Sequence, residues 1–272
     1  MDGSAAGATL TSSGGAYGTC NELIVVCSHA ICEDASNAHD ESNWSLQPFQ
    51  RSDPVTQKPS EHETFILHIA AAAMTHHYRP KALVMFSGGK TNKDSPKSEA
   101  ESYRDVFLRL QTSLSGQYLS EGSVALEEYA TDSYQNLLFS ILRFRKLVGC
   151  YPKTVTVITH AFKEHRFLEL HGPAIKWPSG RLRVQGINPP FSLEERELTQ
   201  KGELERGYRL FAEDPYGGRS PLSDKRRARN WDPDVVETLA ADEEPEVKIL
   251  LRWNGEESGN EVFPGRLPWE EG

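Results

Sequence analysis

The sequence is short of several things that would narrow its function. Its 272 residues include four cysteines, Cys20, Cys27, Cys32 and Cys150, which follow no framework spacing. That excludes a disulfide scaffold and suits a reduced, cytoplasmic chain. No run approaches the roughly 18 apolar residues of a membrane helix. The first 19 residues, rich in Gly, Ala, Ser and Thr, lack a basic stretch leading into an apolar one. They are read as a disordered tail rather than a secretory signal. Positive charge is also in deficit, with 30 Lys and Arg against 39 Asp and Glu and a net charge of −9. This argues against nucleic acid and against an anionic membrane as partners. The one basic run, "DKRRAR" at 224–229, reads as a solvated surface patch, with an anion site as the alternative. There is no internal repeat.

The familiar nucleotide and nucleophile motifs are missing too. Gly89-Lys90-Thr91 matches the end of a Walker A loop, but the earlier glycine would fall at position 84, which is Val84. The first strand turn lacks the dinucleotide glycine pattern. No Gly-x-Ser-x-Gly elbow occurs. Cys27, His29 and Cys32 in "CSHAIC" have no zinc spacing and no second ligand pair, so no metal is expected. Cys27 is expected to pack under the sheet. His76 and His77, at a helix end, are expected to be partly exposed and stabilised by the dipole.

What is present is an alternation of strands and helices. Apolar runs at 22–27, 82–87, 123–128 and 154–159 read as strands, and 181–187 as a fifth. Between them, 60–78, 98–111 and 132–149 read as helices. Ser60/Glu63 and Ser98/Glu101 have capping-box spacing. A further helix is expected over 192–211, opened by the pair Ser192/Glu195. Residues 34–59 are polar, hold three prolines and read as a long loop. Alternation of this kind predicts a mainly parallel sheet with helices on both faces. Four parallel strands, 22–27, 82–87, 123–128 and 154–159, are expected in one sheet. Ligands of such sheets bind outside the carboxyl ends of the strands. The chain divides into a tail (1–19), an α/β domain (20–212) and a C-terminal extension (213–272). The extension is turn-rich and acidic, with one strand expected at 246–253. Its Trp253, Phe263 and Trp269 favour packing over free solution.

Four pieces occur in order, each at a strand-to-helix transition: an apolar first strand; "SGG" (87–89) followed by "SEA" (98–100); "EEYATDSYQN" (127–136); and "VITHAFKEHRF" (157–167). Over residues 22–187 this resembles the YdcF/SanA/ElyC-like family of domains of unknown function. The "DPYGG…PLSDKRRARNW" segment resembles a soluble fungal branch. The resemblance matches Ser87, Gly88 and Gly89 to a glycine turn, and Ser98 and Glu99 to a helix start. It matches Glu127 to a strand-end glutamate, Ser133 to a threonine, Asn136 to an asparagine, and Thr159 and Arg166 to the last motif. Lys163 stands where the family has a histidine. A lysine binds anions well but shuttles protons poorly near neutral pH. The expected fold is therefore an α/β, Rossmann-like three-layer sandwich plus an irregular C-terminal extension.

Each matched residue also has a structural reading. Gly88 and Gly89 permit positive φ and close approach of a ligand, or a tight turn. Ser98 is a helix cap and Glu99 a complement to the dipole. Asn136 holds neighbouring loops. Lys163 and Arg166, three apart, face one way, as an anion clamp or as a solvated face. Glu127 is the candidate general acid or base. Ser87, Ser98, Glu127, Asn136 and Arg166 are expected to share one crevice. The function expected is binding of a small molecule with an anionic group, phosphorylated or nucleotide-like, with hydrolysis or group transfer as the reaction class. An adenosyl-ligand protein and a non-catalytic interaction module are the alternatives. No cofactor and no protein partner is named by the sequence.

Overall fold

The computed structural model describes residues 17–113 and 123–271. Five strands form one sheet: β1 (Glu22–Cys27), β2 (Ala82–Ser87), β3 (Val124–Glu127), β4 (Thr154–Thr159) and β5 (Leu182–Gly186). Their order is β3-β2-β1-β4-β5 and every pairing is parallel. The chain builds outward from β1 on one side and then crosses to β4 on the other. The strand order reverses between β1 and β4, the place at which open sheets of this kind hold their ligands, at the carboxyl edge.

The strands read as continuous apolar runs because both faces are covered. Leu23, Val25 and Cys27 pack with Leu83, Met85, Val155 and Val157 beneath helix α3 (Ser133–Val148). Ile24 and Val26 pack with Val84 and Phe86 beneath α1 (His62–Tyr78) and α2 (Glu99–Ser113). The result is an α/β three-layer sandwich of Rossmann-like order. Residues 34–59 fold into three short 3₁₀ turns, two of them capped by Asp34 and Asp40. Trp44 anchors this stretch, with Nε1 donating to the Ala38 carbonyl at 2.7 Å.

Ser98 caps α2 through the Glu101 amide at 2.9 Å, and Ser192 caps the helix Leu193–Glu203 through the Glu195 amide at 3.2 Å. Ser60 does not cap α1, which starts one residue late; its hydroxyl lies 2.8 Å from His62 Nδ1 instead. The expected helix over 192–211 runs as an α-helix to Glu203, a π-turn at Leu204–Tyr208 and a last α-turn at Arg209–Glu213. The strand expected at 246–253 is a helix, Pro245–Arg252. Pro245 sits in its first turn, and Val247 and Leu250 are buried while Ile249 is exposed. Burial three residues apart is a helical period, not the period of two that a strand requires.

The extension packs against α3. Tyr216, Leu222, Leu250, Phe263 and Trp269 are buried in the same cluster as Leu137 and Phe144. Trp269 Nε1 donates to the Ile175 carbonyl at 2.8 Å. Of the tail, residues 1–16 lie outside the described residues. Tyr17 is already placed, its hydroxyl donating to the Val124 carbonyl at 3.3 Å. Among the described residues no helix is long and apolar enough to cross a membrane.

Candidate functional site

Parallel pairing in register sets Ser87 beside Glu127 at the ends of β2 and β3. The Ser87 hydroxyl lies 2.5 Å from Glu127 Oε2 and 3.0 Å from Asn136 Oδ1. The Asn136 side chain in turn hydrogen-bonds Cys27 at the end of β1. Glu127 Oε1 accepts from the Tyr129 and Ala130 amides at 2.7 and 3.1 Å. Burial raises the Glu127 carboxyl to about 7, against the pull of these three hydrogen bonds. Glu127 was expected to project into the crevice as the working carboxylate. Both its oxygens are instead engaged within the protein, where it braces the turn after β3. Cys27 is buried under the sheet, and burial pushes its thiol up to about 12.

The Ser-Gly-Gly turn is not a phosphate cradle. Gly88 N donates to the Glu127 carbonyl and Gly89 N to the Ala130 carbonyl. Their own carbonyls accept from the Ala100 and Glu99 amides that open α2. Ser98 takes the next amide, so the first amides of this helix are spent inside the protein. Neither glycine has positive φ. What they provide is room: a Cβ at Gly88 would lie 2.9 Å from both Glu99 Cβ and Ser28 Cβ. Gly88→Ala should therefore lower stability by about 1–3 kcal/mol, as overpacking does. Chemical denaturation checks this, and an unchanged midpoint would show that the turn relaxes freely.

Ser98 donates to Glu128 Oε1 at 2.8 Å, which ties the helix start to the strand end. Glu99 is half-buried. Burial raises its carboxyl, against its hydrogen bond from Thr91 and the charges of Arg229 and Lys163. It borders Ser28, whose buried hydroxyl has no partner among the described residues. The charge of Lys163 reaches Glu99.

The cations Lys163 and Arg166 come from the loop after β4. Thr159 Oγ1 lies 3.2 Å from His29 Nε2, and Lys163 Nζ lies 3.4 Å from His29 Nδ1. His29 leaves the end of β1, so it bridges the loops after β1 and β4. Its ring, with those of His68 and His160, forms a buried aromatic cluster with centroids 4.6–5.7 Å apart. Burial holds all three imidazoles below their ordinary value, so they stay neutral near pH 7. His160 faces Glu61 at 3.5 Å. Burial, with the neighbouring charge of Arg166, lowers the Lys163 ammonium to about 8. Arg166 opens a π-turn, Arg166–His171, and pairs with Glu203 at 3.3 Å. Its Nε has no partner among the described residues. Gly207 makes room for it, since a Cβ there would lie 2.5 Å from Arg166 Nη1. Ser133, at the first position of α3, is bonded to His171 Nε2 at 2.7 Å.

The structure thus brings Ser87, Glu127 and Asn136 into one buried network. Thr159 and Lys163 meet instead at His29, and Arg166 pairs with Glu203. Two readings change. The "DKRRAR" run is only partly a solvated patch: Arg229 is exposed, but the Arg226 side chain is 11 % exposed and pairs with Asp132 at 2.6 Å. His76 is buried rather than partly exposed. His29, the bridging residue, was considered only as a metal ligand. The signal that marks it is its position two residues past β1, at the reversal of strand order. Among the described residues no group of three or more His, Cys, Asp or Glu is placed to hold a metal ion.

The chain is 29 % identical over 258 residues to an uncharacterised protein of Saccharomyces cerevisiae, YOR238W, over 77 % of this chain and 83 % of that protein. No family model matches the chain. No solved structure matches it.

Proposed function

We propose that the crevice between the β1 and β4 loops binds a small molecule through an anionic group, phosphorylated or nucleotide-like, and that the protein acts on it as a hydrolase or group-transfer enzyme. The observation that carries this reading is a pair of cations at the reversal of strand order, half-buried Lys163 and buried Arg166, with Arg166 Nε unpartnered. A buried guanidinium donor without an acceptor is costly unless a ligand supplies one. On this reading Lys163 and Arg166 hold the anion, and His29, with both ring nitrogens engaged, positions Lys163. Glu99 takes the proton-transfer role first assigned to Glu127, because its carboxyl is raised by burial and the charge of Lys163 reaches it. The ordered motifs place the chain, as a proposal, in the YdcF/SanA/ElyC-like family, as a cytoplasmic protein. An adenosyl ligand would call for a strand-end acid on its ribose. Glu127, with both oxygens engaged, offers none.

A thermal-shift screen with phosphometabolites and adenosyl compounds separates these ligand classes, since a ligand that binds only the native state raises the melting temperature. Isothermal titration with the hit, or with inorganic phosphate, then tests Lys163. Lys163→Met keeps most of the stem and removes the charge. Affinity should weaken by about 1–3 kcal/mol, the scale of one charge-assisted hydrogen bond, with little change in stability. Lys163→His should retain part of the binding at low pH, where an accessible imidazole is charged. Unchanged affinity in Lys163→Met would leave Lys163 with no role in binding.

A further inference from the structure

We infer that the cleft beside Arg166 takes an aromatic heterocycle, so that the ligand of this site is a nucleoside monophosphate rather than a phosphorylated sugar. This rests on the reading of the crevice given above and adds to it the substrate class. The cleft has a volume of about 510 Å³, within the range of small-molecule sites. It lies between the turn that follows β4, which supplies Phe162, and the helical stretch 193–208, which supplies Gln200, Glu203, Leu204 and Tyr208. Two observations join it to the anion site. Glu203, which lines the cleft, has its Oε1 3.3 Å from Arg166 Nη1. Phe162, which also lines it, precedes Lys163 in the 3₁₀ turn Ala161–Lys163.

The lining supplies what a base requires. One face of the Phe162 ring is covered by His160, with centroids 4.7 Å apart and planes 12° from parallel. Phe162 is only half-buried, so a second ring can stack on the face that His160 leaves uncovered. Glu203 Oε1 is buried and accepts no hydrogen bond among the described residues, since its approach to Arg166 lacks hydrogen-bond geometry. A buried carboxylate oxygen in this state calls for a donor. The other carboxylate of the cleft, Glu169, is already used, by the Tyr208 hydroxyl at 2.7 Å and by His165 Nδ1 at 2.8 Å. Asn188 Oδ1 accepts from the Phe162 amide at 3.2 Å, which leaves its Nδ2 as a donor at the rim. A purine edge carries the matching pair, an N–H donor next to a ring-nitrogen or carbonyl acceptor. An aromatic heterocycle combines such an edge with a flat apolar face; a sugar, hydroxylated all round, does not. The segment Leu204–Tyr208 that walls the cleft is a π-turn, a feature that interrupts helices frequently at functional sites.

The experiment is isothermal titration of the full chain with inorganic phosphate, ribose 5-phosphate, AMP and GMP, at fixed ionic strength. Wild type should bind AMP or GMP at least about tenfold more tightly than ribose 5-phosphate, the factor that one base stacked on an aromatic ring supplies. Phe162→Leu keeps an apolar side chain and removes the ring. Asn188→Asp, at an exposed position, keeps the oxygen that accepts from the Phe162 amide and turns the Nδ2 donor into an acceptor. Circular dichroism checks the fold of each, and Asn188→Asp decides alone if Phe162→Leu does not fold. In both, the preference for the nucleotide over ribose 5-phosphate should fall by at least about fivefold. Equal affinities for ribose 5-phosphate and both nucleotides in wild type, or an unchanged preference in either folded variant, would overturn the base cleft while leaving the anion site intact. Binding of none of the four would overturn the anion reading of the crevice, and this inference with it.

Discussion

Alanine in place of Glu127 should cost about 3–5 kcal/mol of folding stability, from two or three buried donors left unpaired at roughly 1–3 kcal/mol each, whereas glutamine should leave the fold intact. The difference follows from counting protons around Ser87. Its single hydroxyl proton meets two acceptors, Glu127 Oε2 at 2.5 Å and Asn136 Oδ1 at 3.0 Å. With Asn136 oriented to donate to Cys27, an ionised Glu127 leaves the network one proton short. A protonated Glu127 supplies it: its hydroxyl donates to Ser87, and Ser87 donates to Asn136. A carboxyl raised to about 7 agrees with this. Glutamine reproduces the protonated pattern, with its oxygen accepting from Tyr129 and Ala130 and its amide donating to Ser87.

The sign of the pH effect is then fixed. The folded carboxyl titrates above its ordinary 4.5, at about 7, so the native state binds the proton more tightly than the unfolded state does. The contribution of Glu127 is fully present below pH 4.5 and is lost as pH rises to about 7. The amount is roughly 3 kcal/mol at 1.36 kcal/mol per unit. Urea denaturation of wild type and Glu127→Gln from pH 4.5 to 8 should show the variant without this slope, and so gaining on wild type as pH rises. Parallel curves for the two proteins would show that Glu127 is not the titrating group. Catalytic turnover retained in Glu127→Gln would further agree with a bracing role.

The sheet was legible because its strands are buried on both faces. "ELIVVC", "ALVMFS" and "TVTVIT" are apolar or β-branched apart from the end residues Glu22 and Ser87, and Gly88-Gly89 follow the second. Ser98 and Ser192 announced helix starts because each hydroxyl oxygen accepts the amide three residues on, and in Ser98 the hydroxyl proton goes separately to Glu128. Ser60 carries the same local pattern, but His62 competes for its hydroxyl, and spacing alone does not encode that competition. "EVKILLRW" misled because three apolar residues in succession suit either period. Pro245 immediately before it was the residue that favoured a helix. The glycines of "SGG" were legible as a point of close approach, but what approaches is the chain itself, at Glu99 and Ser28. The contribution of Arg226 was hidden for a different reason. It depends on a contact across 94 positions of sequence, to Asp132, and nothing in a run of basic residues says which one will turn inward.

Arg166→Met should produce the second large effect, and one whose two components can be separated. The Arg166 and Glu203 side chains are 10 % and 12 % exposed, so removing the guanidinium strands a carboxylate out of water. Breaking a buried pair in this way costs about 3–5 kcal/mol. The contact of the guanidinium with the Phe211 ring, 5.6 Å from its centroid, is lost as well. The double variant Arg166→Met/Glu203→Gln removes both charges and should recover all but about 1–2 kcal/mol of that loss, since a neutral pair of similar volume carries little desolvation cost. Phosphate binding should be absent from both, because the donor is gone whether or not the fold is restored. Glu203→Gln alone should behave in the opposite sense. It leaves Arg166 with no counter-charge, lowers stability without ligand, and makes an added anion more stabilising than it is for wild type, because the anion then supplies the missing charge. Melting temperatures with and without phosphate, read across the three variants, distinguish these outcomes. An Arg166→Met/Glu203→Gln protein that folds and still binds phosphate with wild-type affinity would place the anion somewhere other than this crevice.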